Sequence, residues 1–139
     1  MGRIVGIDFG TARIGLAITD EMRIITQPLA TIQAAKNVKQ TVELIAKELE
    51  RFKKIDTIVV GLPLLLSGKE GDMASLAKAF GAAVEKRMGV PVVYWDERLT
   101  SSQVDRMLRD SDVSRKKRAT LSDQLAAAAI LQNYMDSLP

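Results

Sequence analysis

The most constraining stretch of the chain is RIVGIDFGTARIGLAIT, residues 3 to 19. Val5, Ile7 and Phe9 alternate with Gly6, Asp8 and Gly10; after a turn at Gly10-Thr11-Ala12, Ile14, Leu16 and Ile18 alternate with Gly15, Ala17 and Thr19. A period of two belongs to a strand with one buried face, so the stretch predicts a hairpin. The other face is nearly stripped of side chains, yet it carries a carboxylate, Asp8. Burying an unpaired charge is expensive, so Asp8 calls for a partner or a purpose.

The following segments set the architecture. A third strand is expected over roughly Ile24 to Ile32, at a sheet edge because Pro28 cannot donate to a ladder. Val38, Val42, Ile45, Leu49 and Phe52 then recur at helical spacing. TIVVGLP, residues 57–63, reads as a central parallel strand. A second helix is expected with Asp72 as N-cap and Met73, Leu76, Phe80 and Val84 on its buried side, stopped by Gly89 and Pro91. VPVVYW, residues 90–95, is the last strand and runs into Asp96-Glu97-Arg98. Thr100 to Gln103 has capping-box spacing, which predicts a short helix to about Arg109. SDVSRKKRAT, residues 111–120, reads as a loop before a final helix from Leu121 to Asp136. Strands first and strand–helix alternation afterwards give an α/β fold, a hairpin-first mixed sheet with helical crossovers. At 139 residues the expectation is a single domain over 1–139.

Composition narrows the chemistry. Cysteine and histidine are both absent, which excludes thiolate zinc sites, disulfides, cysteine nucleophiles and imidazole catalysis. A site must be built from carboxylates, amines, hydroxyls or a hard ion held by oxygen. No apolar run is long enough to span a membrane and no leader pattern opens the chain, so the expected location is the cytoplasm. The net charge of +3 hints at a polyanionic partner, and its distribution is more telling. Between Arg98 and Arg118 seven basic residues face three acidic ones, and Arg115, Lys116, Lys117 and Arg118 are consecutive. A charge run is usually a solvated surface, but this one adjoins the helix that carries Asp123.

Three acids stand in unusual places: Asp8 in the first strand, Glu97 after the last, and Asp123 early in the final helix. Taken singly, Asp123 could serve a helix dipole and Glu97 could pair with Arg98 at the surface. Taken together, strand ends in an open α/β sheet converge at one edge, where the three carboxylates would suit Mg²⁺ or Mn²⁺. Two such ions activate water and stabilise the leaving oxygen in phosphodiester cleavage, and the glycines beside Asp8 would leave room for them.

GIDFGTARIGLAITD, VGLP followed by Gly68, WDERLTSSQV and SDQLAAAAILQNYM resemble, in order and across nearly the whole chain, the successive blocks of the YqgF family. Its members are RNase H-like proteins described as Holliday junction resolvases and as pre-16S rRNA processing nucleases. The resemblance implies an RNase H-like, five-stranded mixed sheet with the second strand antiparallel and helices on both faces. It implies a metal-dependent endonuclease using Mg²⁺ or Mn²⁺, two ions in the expected arrangement, with Asp8, Glu97 and Asp123 as catalytic and metal-binding acids. Arg13 and Arg98 match family positions and would contact phosphate, with Arg115, Lys116, Lys117 and Arg118 beside them. The expected substrate is structured nucleic acid, either precursor rRNA in 5′ maturation of 16S rRNA or, alternatively, a DNA junction. Ribosomal particles are possible partners, no membrane is expected, and the chain would act as a monomer or homodimer. Leu64-Leu65-Leu66 departs from the family, which commonly has a polar residue, often asparagine, shortly after the proline of VGLP.

Two rivals remain. IDFGT resembles the phosphate-binding opening of actin, Hsp70 and sugar kinases, but those proteins clamp nucleotide between two such domains. A non-catalytic nucleic-acid-binding module is the other, and gathering three acids where phosphates approach argues against it.

Overall fold

A computed structural model describes residues 2–63, 67, 71–96 and 115–139, residues 115–120 by their backbone alone. The expected hairpin is present as β1 (Arg3–Phe9) and β2 (Arg13–Thr19), followed by β3 (Thr26–Gln33), α1 (Val38–Leu49), β4 (Ile55–Leu62), α2 (Asp72–Met88), β5 (Val92–Asp96) and α3 (Arg115–Ser137). The strands form one sheet in the order β3-β2-β1-β4-β5. β2 runs antiparallel to both its neighbours, whereas β1, β4 and β5 are mutually parallel. This is the mixed sheet that the resemblance implied.

Each face of the sheet carries its own core. Val5, Ile7, Ile14, Leu16, Ile58 and Val60 pack beneath α1 and α2 with Ile45, Leu49, Phe80 and Val84. On the opposite face Ile4, Ala17 and Val59 meet Ala127, Ile130 and Leu131 of α3. Each fully buried aliphatic side chain contributes about 1.5–3 kcal/mol, so both faces hold the sheet. Beside them Trp95 of β5 stacks edge-on against Tyr134 of α3, with ring centroids 5.6 Å apart.

Several local expectations are corrected. β3 is an edge strand as Pro28 required, but it starts at Thr26, and Ile24 is left 76% exposed in the preceding turn. A register shift between Leu16 and Ala17 absorbs the proline, which sits opposite Ala17. Gly71, not Asp72, caps α2, and Met73 and Leu76 are exposed. The buried stripe instead passes through Ala74, Ala77, Phe80, Gly81 and Val84, because small residues bring the helix close to the sheet. A Cβ on Gly81 would lie 2.5 Å from the Tyr94 hydroxyl. Val38, expected on the buried stripe of α1, is exposed too. The final helix begins at Arg115 rather than Leu121, so residues 115–120 are helical and not loop. Arginine, lysine and alanine are good helix formers, and here backbone propensity outweighs mutual repulsion. The short helix expected between Thr100 and Arg109 lies outside the described residues, as does Leu64 to Leu66.

Candidate active site

The site grows from the parallel edge of the sheet. Asp8 lies one residue before the C-terminal end of β1 and is half-buried. Ile7 and Val5 face the α1–α2 core, so the alternation of the strand turns Gly6 and Asp8 toward α3. Directly opposite Asp8 on β2 stands Gly15. A Cβ on Gly15 would collide with the backbone carbonyl oxygen of Asp123, and one on Gly6 would lie 2.8 Å from the Ala127 carbonyl oxygen and the Leu131 Cβ. The stripped face of the hairpin is therefore a track for α3, which crosses it in backbone contact and lays Asp123 at the level of Asp8. The expectation that the glycines beside Asp8 leave room for metal and phosphate is corrected. Gly6 and Gly15 are filled by the helix, and at Gly10 a Cβ would meet the Arg13 carbonyl oxygen at 2.5 Å.

Asp123 stands more than two turns inside α3, beyond the reach of the helix dipole that could otherwise explain it. Its Oδ2 accepts a 2.7 Å hydrogen bond from Nε of Arg13, the first residue of β2. The two side chains are 41% (Arg13) and 17% (Asp123) exposed, so the guanidinium can turn outward while the carboxylate stays largely sheltered. Gln124 donates to Thr31 of β3 at 3.3 Å and steadies the same turn of the helix. β5 ends at Asp96, opposite Leu62 of β4, while Ile7 pairs with Val60. The strand thus finishes at the same edge as Asp8, two strands away, with Trp95 on the α3 face. Glu97 and Arg98 lie outside the described residues, and so do the side chains of Arg115, Lys116, Lys117 and Arg118.

The sequence profile of the RuvX family, described as Holliday junction resolvase, matches residues 2–137. The chain belongs to the RuvX family, known also as YqgF. A protein of Protochlamydia amoebophila (strain UWE25) bearing the name "Putative pre-16S rRNA nuclease" is 46% identical over 140 residues, covering 97% of this chain and 93% of its own length. A protein of the same name from Listeria monocytogenes serotype 4b (strain CLIP80459) is 43% identical over 135 residues, covering 97% and 98%. Among solved structures, the fowlpox virus Holliday junction resolvase aligns with a TM-score of 0.59 at 17% identity, covering 98% of this chain and 99% of that one. RuvC of T. thermophilus in complex with a Holliday junction substrate aligns with a TM-score of 0.56 at 19% identity, covering 98% and 96%. At such identities the structural likeness shows the fold, which is the RNase H-like fold that the sequence implied.

Of the expected site residues, the described structure brings together Asp8, Arg13 and Asp123. Sequence reasoning missed two things here. Arg13 was assigned to phosphate, and its contact with an acid 110 residues away has no local signal. Gly15 was read only as a small residue, although its alternation with Ile14 and Leu16 already placed it on the face of Asp8.

Proposed function

We propose that this chain is a divalent-metal-dependent endonuclease that hydrolyses phosphodiester bonds in structured RNA, acting in 5′ maturation of precursor 16S rRNA. The observation that carries the reading is the docking of α3 across Gly15, which sets Asp123 beside Asp8 at the edge where β5 also ends. Family membership and the names of the relatives support the reaction class and the substrate.

Asp8, Asp123 and, by the family pattern, Glu97 are the residues that would hold Mg²⁺ or Mn²⁺. The donor set fits: oxygen ligands with neither imidazole nor thiolate suit hard ions, and Arg13 already satisfies Asp123 with positive charge. The bound ions would supply charge for an attacking water and for the leaving oxygen. Asp8 would supply its carboxylate to the bound metal together with Asp123. Arg13, exchanging Asp123 for a substrate phosphate, would orient the strand, and Arg98 would contact phosphate from beyond β5. Arg115 to Arg118 occupy the first turn of α3, where no acidic residue offsets them. Cations at a helix N-terminus are unfavourable by themselves, which suits them to a polyanion. In this reading residues 1–139 act as one nuclease domain in the cytoplasm, and no described helix is long and apolar enough to cross a membrane.

Asp8→Asn keeps the shape of the side chain and removes its charge. The expected result is loss of Mg²⁺-dependent cleavage of precursor rRNA with an unchanged thermal melt; undiminished cleavage would overturn the mechanism. The family description favours a second reading, resolution of DNA junctions. That reaction needs two symmetric sites and hence a homodimer, whereas precursor cleavage can be done by a monomer. Cleavage of a four-way junction and of a ribosomal precursor side by side, with sedimentation of the protein, separates the two.

A further inference from the structure

Behind the proposed catalytic edge, on the face of the sheet away from α3, a cavity of about 230 Å³ opens beside the turn between β1 and β2. Phe9, Ile14 and Phe80 form its floor, and Val38 and Leu76 stand at its sides. Phe9 and Phe80 lie with ring centroids 4.7 Å apart, tilted by 33°. Val38 and Leu76 are 46% and 48% exposed although the helical pattern of each segment predicts burial, so the cavity holds apolar surface open to solvent.

On its polar wall, Asn37 and Thr41 are already engaged. The Asn37 side chain accepts from the backbone N–H of Gln40, and the Thr41 hydroxyl accepts from Ala35 N–H and donates to the Asn37 carbonyl oxygen. What the cavity offers is an apolar surface with one partly accessible ring, that of the half-buried Phe9, since Phe80 is only 1% exposed, and with the exposed Lys36 on its lining. A flat ring joined to an anionic chain matches that combination, since bases of unpaired strands stack on aromatic side chains while cations follow the backbone. The position agrees as well. Asp8 and Phe9 are consecutive residues turned to opposite faces at one edge of the sheet, so a strand with a phosphate at Asp8 meets the cavity one step across that edge.

We propose that this cavity is a base-binding subsite, which receives one unstacked nucleobase of the substrate strand next to the scissile phosphate. The inference rests on the nuclease reading and adds to it a requirement for an unpaired nucleotide at a fixed place. The test uses the full chain, Ca²⁺ in place of Mg²⁺ to hold the RNA uncut, and a precursor 16S rRNA fragment that keeps its paired segments, in which one abasic nucleotide is moved stepwise along the unpaired strand. Methyl NMR signals of Ile14, Val38 and Leu76 report occupancy. The expected result is that one abasic position weakens binding about tenfold and abolishes the methyl shifts. Leu76→Ser should weaken binding of the intact RNA by a similar factor and remove sensitivity to that abasic position. Normal RNA binding with a flat abasic scan, or with unmoved methyl signals, would overturn the subsite and leave the nuclease reading standing. Failure to bind any RNA would overturn both.

Discussion

Gly15→Ala is the sharpest test of how the site is assembled. The new methyl would fall on the carbonyl of Asp123, a backbone atom that cannot swing aside as the end of a flexible side chain could. To restore the ~3.5 Å of ordinary contact, α3 must retreat from the hairpin by on the order of 1 Å. Overpacking of this kind costs typically 1–3 kcal/mol, and contact with backbone places this variant near about 3. For a chain of this size that corresponds to a drop in Tm of roughly 10 °C. Because the displaced segment is the one that carries Asp123, cleavage should fall by about 100-fold, the penalty for misplacing a reacting group by an ångström. Gly89→Ala is the control. Gly89 ends α2 in the left-handed conformation with φ 66°, and nothing lies near its missing Cβ, so the cost is confined to backbone strain of about 1–2 kcal/mol. Thermal melts and Mg²⁺-dependent cleavage, assayed well below both midpoints, should show Gly89→Ala mildly destabilised and fully active. A Gly15→Ala protein that melts like the wild type, or that melts early but cleaves normally, would refute the claim that close docking of α3 positions Asp123.

Other expectations follow from the same geometry. Arg13→Gln removes an ion pair that is exposed on the Arg13 side and keeps a hydrogen-bond donor beside Asp123, so it should change stability by only about 1 kcal/mol, yet raise KM for nucleic acid; an unchanged KM would return Arg13 to a purely structural role. Changing Lys116 and Lys117 together to Ala should weaken RNA binding and flatten its dependence on salt by roughly two phosphate contacts, and an unaltered slope would remove that turn of α3 from the interface. Asp20 accepts hydrogen bonds from the backbone N–H groups of Ile25 and Ile24, which hold its carboxyl below the ordinary value of 3.8. Its stabilising contribution is therefore complete above that value and is lost as pH falls through the lower folded-state value. Denaturant titrations of Asp20→Asn against the wild type should show a stability gap that is constant near neutrality and closes below pH 3.8; a gap that persists in acid would disprove the assignment.

The hairpin, the edge place of β3 and the central place of β4 were legible because each strand carries a different pattern, while the full strand order was not read from the sequence. Alternation in the first two, a continuous apolar run in the fourth and Pro28 in the third each dictate a place in the sheet. Helix faces were less legible. Leu76 fits a helical stripe as well as Ala77 does, and which is buried depends on how closely α2 approaches Tyr94, a distance no local pattern encodes. The start of α3 was misread because a run of like charges suggests an irregular segment, while the same residues are intrinsically good helix formers. At the site, Asp8 stood out as a carboxylate on a face of glycines, the convergence of strand ends grouped it with Glu97 and Asp123, and the resemblance fell on the same acids. That Gly15 is the contact between them, and that Arg13 binds Asp123, depends on packing between the two ends of the chain.

The distance in sequence between those ends has a consequence in time. Arg13 and Asp123 are 110 residues apart, so at ordinary rates of synthesis the hairpin is complete roughly 5–20 seconds before the acid that docks on it has been made. Until α3 arrives, the groove at Gly6 and Gly15 is bare and Asp8 has no neighbouring Asp123. A nuclease read as acting on ribosomal RNA is thus translated on its own class of substrate while its site is still in two parts. The chain order that makes the site hard to read locally also delays its assembly until α3 has been made.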